Sequence, residues 1–204
     1  MMKVTIFFIV FLFLGLSLKA QSWQTYNTLN SGIANNSVRH FYEDAQGNKW
    51  FGTSTGLSKF DGTTWTTYNT SNSSIAGNAI QCIPTDSQGN IWIGTWSGNG
   101  VSKFDGTTWT TYNSLNSGLV YNNVPSIAID IYGNKWFATG FGVSKLDETN
   151  WTSYLGGGAY NCQYVAADNL GNIWVAAGNV WKFDGSTWTN YTTSNSGLLN
   201  RVHP

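Results

Sequence analysis

Apolar residues follow two different patterns along this chain. From Val4 to Leu18 they run almost unbroken, directly after the positive start Met1-Met2-Lys3. After residue 20 no stretch repeats with a helical period. Short clusters rich in Trp, Tyr, Phe, Ile, Val and Thr are instead separated by Gly, Asn, Asp and Ser. The first pattern predicts a signal peptide over 1–20. Its apolar run of 15 residues falls short of the roughly 20 that a membrane-spanning helix needs, and Leu18-Lys19-Ala20 places a small residue where a signal peptidase can cut. The rival reading is an uncleaved N-terminal anchor. No later stretch has the length to span a bilayer. The second pattern predicts β-strands bounded by turns.

The strand clusters recur. Asp44-Ala-Gln-Gly47-Asn48-Lys-Trp50-Phe-Gly52-Thr53 returns with small variations from Asp86, Asp130 and Asp168, at spacings of 42, 44 and 38 residues. A second block, Lys59-Phe60-Asp61-Gly62-Thr-Thr-Trp65-Thr-Thr-Tyr68, returns at 103–112, 145–154 and 182–191. This period is that of a four-stranded propeller blade, with the length changes placed in loops. In the first repeat the strands are A at about 38–43, B at 49–53, C at 57–60 and D at 64–68. The predicted fold is therefore all-β, a β-propeller with blades at about 37–69, 79–113, 123–155 and 161–192. A lone N-terminal strand D at 22–27 and the start of a further blade at 200–204 flank them within 21–204, so the ring is expected to be incomplete. A fragment of a larger propeller, or an array that must associate to close, would expose apolar blade faces and self-associate through them.

Inner strands of a blade pack on neighbours through both faces, and large flat side chains suit those gaps. Trp50, Trp92, Trp136 and Trp174 share one strand-B position, and Trp23, Trp65, Trp109, Trp151 and Trp188 share one strand-D position. Nine of the eleven tryptophans are thereby assigned to an inter-blade core. Trp181 takes the strand-C place of Ser58, Ser102 and Ser144 and is also read as packing.

The text GNIWIGT at 89–95 followed by SKFDGTTW at 102–109 resembles the two-component regulator propeller repeats of secreted and periplasmic bacterial proteins. The resemblance extends over essentially the whole mature chain. It implies seven-bladed rings that act as extracellular sensor domains of hybrid histidine kinases, often in polysaccharide sensing. This sequence carries no kinase and no receiver, so the resemblance implies the scaffold more strongly than the signalling role.

Composition narrows the chemistry. Aromatics are 16% of the residues and charged residues only 10%. Without Lys3 and Lys19, eight Lys and Arg face ten Asp and Glu. There is no basic patch for nucleic acid. Eight of the ten acidic residues sit in repeated turns: Asp44, Asp86, Asp130 and Asp168 between A and B, and Asp61, Asp105, Asp147 and Asp184 between C and D. Glu43 and Glu148 read as solvated turn residues, Glu148 replacing the usual Gly. No pair of carboxylates suggests a glycosidase. The two histidines, His40 and His203, form no metal-ligand cluster. A single carboxylate per Asp-x-x-Gly-Asn turn is too few for calcium. Cys82 and Cys162 are a blade apart and read as core residues rather than a disulfide. No catalytic residue, metal site or cofactor is expected.

What distinguishes one repeat from another lies in the B–C and D–A loops, which emerge at the same end of the blades. Trp96 sits in a two-residue insertion of the second B–C loop, Phe141 in the third, and Tyr121 and Tyr160 in D–A loops, among many Asn, Ser and Gly. Aromatic faces beside amides and hydroxyls suit a carbohydrate or peptide ligand. Arg39 shares a strand-A position with Gln81 and Gln163 that could line the channel mouth. The expectation is a secreted or periplasmic, non-catalytic recognition or sensor module, with no membrane contact after signal cleavage. The alternatives are a structural or adhesive protein–protein module and, behind it, a polysaccharide-active enzyme.

Overall fold

The computed structural model describes residues 23–96, 98–154 and 161–199. Among the described residues sixteen strands form four sheets. Blade 1 contains β1 (Val38–Glu43), β2 (Lys49–Thr53), β3 (Leu57–Phe60) and β4 (Trp65–Tyr68). Blade 2 contains β5 (Ile80–Cys82), β6 (Ile91–Thr95), β7 (Val101–Phe104) and β8 (Trp109–Tyr112). Blade 3 contains β9 (Ser126–Ile129), β10 (Lys135–Thr139), β11 (Gly142–Asp147) and β12 (Asn150–Tyr154). Blade 4 contains β13 (Tyr164–Ala167), β14 (Ile173–Ala177), β15 (Asn179–Phe183) and β16 (Trp188–Tyr191). Each sheet is antiparallel with its strands in chain order, and the first strands of successive blades touch, β1 on β5, β5 on β9 and β9 on β13. The first strands therefore form the inner side of an open arc. A–B and C–D turns lie at one end of the blades, and B–C and D–A loops at the other.

The core lies between blades, not within them. Blades 1 and 2 enclose Trp50, Leu57, Ile80, Ile83, Ile93 and Phe104. Blades 2 and 3 enclose Trp92, Val101, Leu119, Val124 and Phe137, and blades 3 and 4 enclose Trp136, Val143, Val165, Val175 and Phe183. Within each of the three junctions the strand-B Trp and strand-D Tyr of one blade meet a large side chain of the next. Trp50 and Tyr68 lie 6.1 and 5.7 Å from Phe104, and Trp136 and Tyr154 lie 5.8 and 5.2 Å from Phe183, between ring centroids.

The turn chemistry of the A–B connection has a consequence beyond the turn. The carboxylate of Asp44 accepts bonds from the backbone amides of Gln46 and Asn48, from the Asn48 side chain, and from the Trp50 indole Nε1 at 2.8 Å. The same indole-to-carboxylate bond is donated by Trp92 to Asp86, Trp136 to Asp130 and Trp174 to Asp168, at 3.0, 2.8 and 2.9 Å. A buried indole N–H needs an acceptor, and the turn supplies it. The strand-C lysine then covers each ring, with Nζ of Lys59, Lys103, Lys145 and Lys182 between 5.5 and 5.9 Å from the centroid.

The D–A loops are pinned to the blade that follows. Ser58, Ser102 and Ser144 on strand C accept from the amides of Ala34, Ala76 and Val120 at 2.8, 2.7 and 3.0 Å. Thr67, Thr111 and Ser153 on strand D donate to the carbonyls of Gly32, Ser74 and Gly118. Gly32 allows this approach, since a Cβ there would lie 2.4 Å from Cβ of Trp65. Blade 4 carries Trp181 and Asn190 in place of the serine and threonine, and among the described residues the buried Trp181 Nε1 and Asn190 Oδ1 have no hydrogen-bond partner.

Two expectations change. Residues 23–27 form no strand ladder, and Trp23 is fully exposed instead of joining the inter-blade core. A strand D is held by its own strand C, and among the described residues none lies beside this segment. Tyr26 nevertheless reaches Phe60 and Trp65, at 5.5 and 5.4 Å, close to the 5.7 and 5.4 Å that Tyr68 keeps to Phe104 and Trp109 one junction later. The second change concerns Asp147, described below. The segments 1–20 and 200–204 lie outside the described residues. Cys82 and Cys162 are both buried, in different inter-blade clusters, and burial pushes the Cys82 thiol up to about 12.

Candidate functional site

The loop end of the junction between blades 2 and 3 gathers three of the irregular aromatics. Tyr121 and Phe141 meet edge to face, with ring centroids 4.8 Å apart and planes at 71°. They remain 41% and 53% exposed. Gly140 makes room for the pair, because a Cβ there would lie 3.1 Å from the Tyr121 ring.

Trp96, 48% exposed, stands on the neighbouring B–C loop of blade 2. Its backbone N donates to the Ala79 carbonyl at 3.0 Å, and the loop turns back through Gly98 and Gly100, both at positive φ. A Cβ on Gly100 would lie 2.1 Å from the Tyr112 carbonyl oxygen, so the tight return requires glycine. Gly100 N donates to the Asn122 carbonyl at 2.8 Å and Val124 N to the Thr95 carbonyl at 2.9 Å, which ties the Trp96 loop to the Tyr121 loop. Trp96 makes no ring contact with the other two. Three exposed aromatics thus stand on three adjacent loops, of which the Trp96 and Tyr121 loops are hydrogen-bonded to each other and the Tyr121 and Phe141 loops meet through their rings.

The remaining candidates are elsewhere. Arg39 is exposed on β1 of blade 1 and makes no ion pair among the described residues. Tyr160 lies outside the described residues. Gln163 Nε2 donates to the Asn161 side chain at 2.7 Å, whereas Gln81 Nε2 is buried without a partner among the described residues. His40 is half-buried on the inner strand, its Nδ1 has no partner among the described residues, and burial lowers its pKa.

At the turn end, titratable groups are committed to structure. Asp61, Asp105 and Asp184 each accept bonds from the two following amides and a hydroxyl. For Asp184 the amides of Thr187 and Ser186 hold the carboxyl down at about 2. The indole of Trp174 and the side chain of Asn172 push Asp168 well below the ordinary carboxylate range. Asp147 departs from this. It accepts none of the turn bonds and instead pairs with Lys145 Nζ at 3.3 Å, because Glu148 replaces the glycine and lets β11 and β12 continue to the pair Asp147–Asn150. The replacement was visible in sequence; its effect on Asp147 was not. Among the described residues, no grouping of three or more His, Cys, Asp or Glu could hold a metal ion.

Residues 32–55 and 74–97 match the model of the two component regulator propeller family. Among solved structures, the extracellular domain of a hybrid two-component system from B. thetaiotaomicron is 27% identical with a TM-score of 0.69, over 78% of this chain and 23% of that one. The extracellular domain of a one-component system from the same organism is 20% identical with a TM-score of 0.64, over 78% and 26%. This chain therefore spans about a quarter of each of those domains. A streptogramin B lyase shares the fold at 16% identity and a TM-score of 0.62, over 78% of this chain and 56% of that one. No curated protein sequence matches the chain.

Proposed function

We propose, from the match of residues 32–55 and 74–97 to the two component regulator propeller family, that the chain is an extracytoplasmic recognition module of the sensor type, binding a carbohydrate without transforming it. The observation that carries this reading is the group of exposed Trp96, Tyr121 and Phe141 on three adjacent loops, the first two hydrogen-bonded to each other and the last two in ring contact. Aromatic faces take the C–H surface of a sugar ring, and the surrounding amides and hydroxyls take its hydroxyls, with little need for charge. Similarity to extracellular sensor domains supports the sensor role and the location outside the cytoplasm. The non-catalytic reading rests on the acidic residues, nearly all of which are engaged in turns. The lyase likeness is one of fold alone, and a fold does not assign a chemistry.

The test is a glycan array followed by calorimetry on the best ligand. Replacing Trp96 and Phe141 with Ala is expected to abolish binding while the thermal midpoint stays unchanged. Binding that survives the double replacement sinks the assignment.

A structural or adhesive role is favoured by a different observation. On blade 4 the side chains that blades 1 to 3 cover, Trp174, Val180, Tyr191 and Leu198, line an open apolar hollow of about 360 Å³. Blade 1 exposes Val38 and Phe41 at the other end of the arc. Light scattering after size exclusion tests this: a defined oligomer supports self-association through these faces, and a monomer at all concentrations rejects it.

A further inference from the structure

The two open faces of the arc are the two halves of one junction. In each internal junction the rear face of a blade, with its strand-B Trp, strand-D Tyr and D–A loop, meets the front face of the next, with apolar residues of strands A to C and the strand-D Trp. Blade 4 carries the rear half uncovered. Leu198 is 40% exposed, whereas Ile33, Ile75 and Leu119, at its place in the other D–A loops, are 8%, 4% and 2% exposed. Blade 1 carries the front half. Phe41 is 53% exposed, whereas Ile83, Ile127 and Val165 at its place are buried.

Two further features mark these faces as partners. Gly32 and Gly118 lie so close to the strand-D Trp of the following blade that a Cβ would come within 2.4 and 2.3 Å of Cβ of Trp65 and Trp151. Gly197 holds the same place in the D–A loop of blade 4, yet a Cβ there would meet nothing within 4 Å. Its smallness therefore serves no contact among the described residues. The second feature is the segment 23–33, Trp23-Gln-Thr-Tyr26-Asn-Thr-Leu-Asn30-Ser31-Gly32-Ile33, which parallels Trp188-Thr-Asn-Tyr191-Thr-Thr-Ser-Asn195-Ser196-Gly197-Leu198 of blade 4. It lies on the front face of blade 1 as a D–A loop does, with Tyr26 on Phe60 and Trp65 and the amide of Ala34 donating to Ser58. Strand β16 offers the same groups already paired with β15.

We propose that the rear face of blade 4 docks head to tail on the front face of blade 1 of a second copy, where β16 and residues 192–199 displace the segment 23–36. The inference rests on the self-association reading above and gives it a geometry. Trp65 of the second copy fills the space over Gly197, and its Ser58 accepts from the amide of Leu199 in place of Ala34. The contacts that the displaced segment gives up are thus remade by the matching residues of blade 4. What is gained is the burial of Trp174, Val180 and Tyr191 against Phe41 and Phe51, apolar surface that one copy leaves in water. Such a contact joins unlike faces, so it either closes into a ring or runs on as a fibre. Two copies of four blades make eight, which is within the range of closed propellers. The ring therefore closes as a dimer with two identical junctions.

The test is sedimentation and light scattering of the exported chain with Leu198→Glu on the rear face and Phe41→Glu on the front face. Both side chains are exposed, and circular dichroism checks that each variant keeps its fold. The unaltered chain is expected to dimerise, and each variant alone to dimerise at least tenfold more weakly. An equimolar mixture of the two is expected to recover a dimer, because it contains one junction in which both faces are unaltered. Tyr26→Ser loosens the segment that occupies the front face and is expected to tighten the dimer at least threefold. A chain that stays monomeric at every concentration rejects self-association itself, and leaves the two faces to another polypeptide. A dimer that responds to only one of the two Glu substitutions, or a mixture that stays monomeric, keeps self-association but overturns the head-to-tail junction. Unchanged or weaker dimerisation in Tyr26→Ser overturns the displacement of 23–36.

Discussion

At the turn end of the blades one carboxylate-to-indole bond is repeated four times, at 2.8 to 3.0 Å, and the residues around it scarcely vary. At the loop end, no two blades present the same side chains. The B–C connection of blade 2 holds an exposed Trp96, that of blade 3 an exposed Phe141, and that of blade 4 Gly178 with no aromatic. The difference teaches how labour is divided in this scaffold. The turns hold the buried tryptophans in place, so a change there propagates into the core. The loops rest on that core and vary without disturbing it.

The largest effect expected from this division is at the turn-end tryptophans. Trp92→Ala removes a buried ring, its bond to Asp86 and its stacking on Tyr112, whose centroid is 5.7 Å away. A loss of about 3–5 kcal/mol in urea unfolding is expected. An effect below about 1 kcal/mol would contradict the inter-blade core described above.

Ser102→Ala comes next. It leaves the Ala76 amide without the acceptor that now lies 2.7 Å away, and a loss of about 1–3 kcal/mol is expected. The same measurement on Trp181→Ser in blade 4, where the clamp is already missing, is not expected to show the matching gain, because the indole fills volume that a serine leaves empty.

Acid is the third probe. The folded-state carboxyls of Asp168 and Asp184 lie below the unfolded value near 3.9. Their contribution is therefore fully present above about pH 4 and is lost as pH falls through their lowered folded values. A thermal midpoint that declines from pH 4 toward pH 2 is expected, with a shallower decline in Asp168→Asn. A midpoint independent of pH across that window would mean that these turn bonds do not persist in solution.

Smaller still, Glu148→Gly is expected to stabilise blade 3 by up to about 1 kcal/mol, through relief of the left-handed backbone at φ +42°. Trp96→Ala is expected to change stability by less than about 0.5 kcal/mol, in keeping with an exposed side chain. A large loss at Trp96 would place that residue in the core and remove it from the exposed aromatic group.

Strand positions and most of the tryptophan core were legible in the chain itself, because period and turn chemistry act over a few residues and recur four times. The strands of the first repeat fall within a residue of expectation. The segment 22–27 was legible as a repeat relative but not as a strand, since a strand exists only with a partner beside it. Trp96, Tyr121 and Phe141 were visible as departures from the repeat. That Tyr121 and Phe141 touch, and that the Trp96 and Tyr121 loops are joined through Gly100 and Asn122, depended on how blades 2 and 3 pack. The same holds for Asp147. Its place in a turn follows from sequence, while its release from the turn amides follows from one substituted glycine and the ladder that extended to meet it. Local order along the chain was thus set by residue type and spacing. Which side chains share a surface was decided by contacts between residues distant in sequence, and those exist only once the blades have stacked.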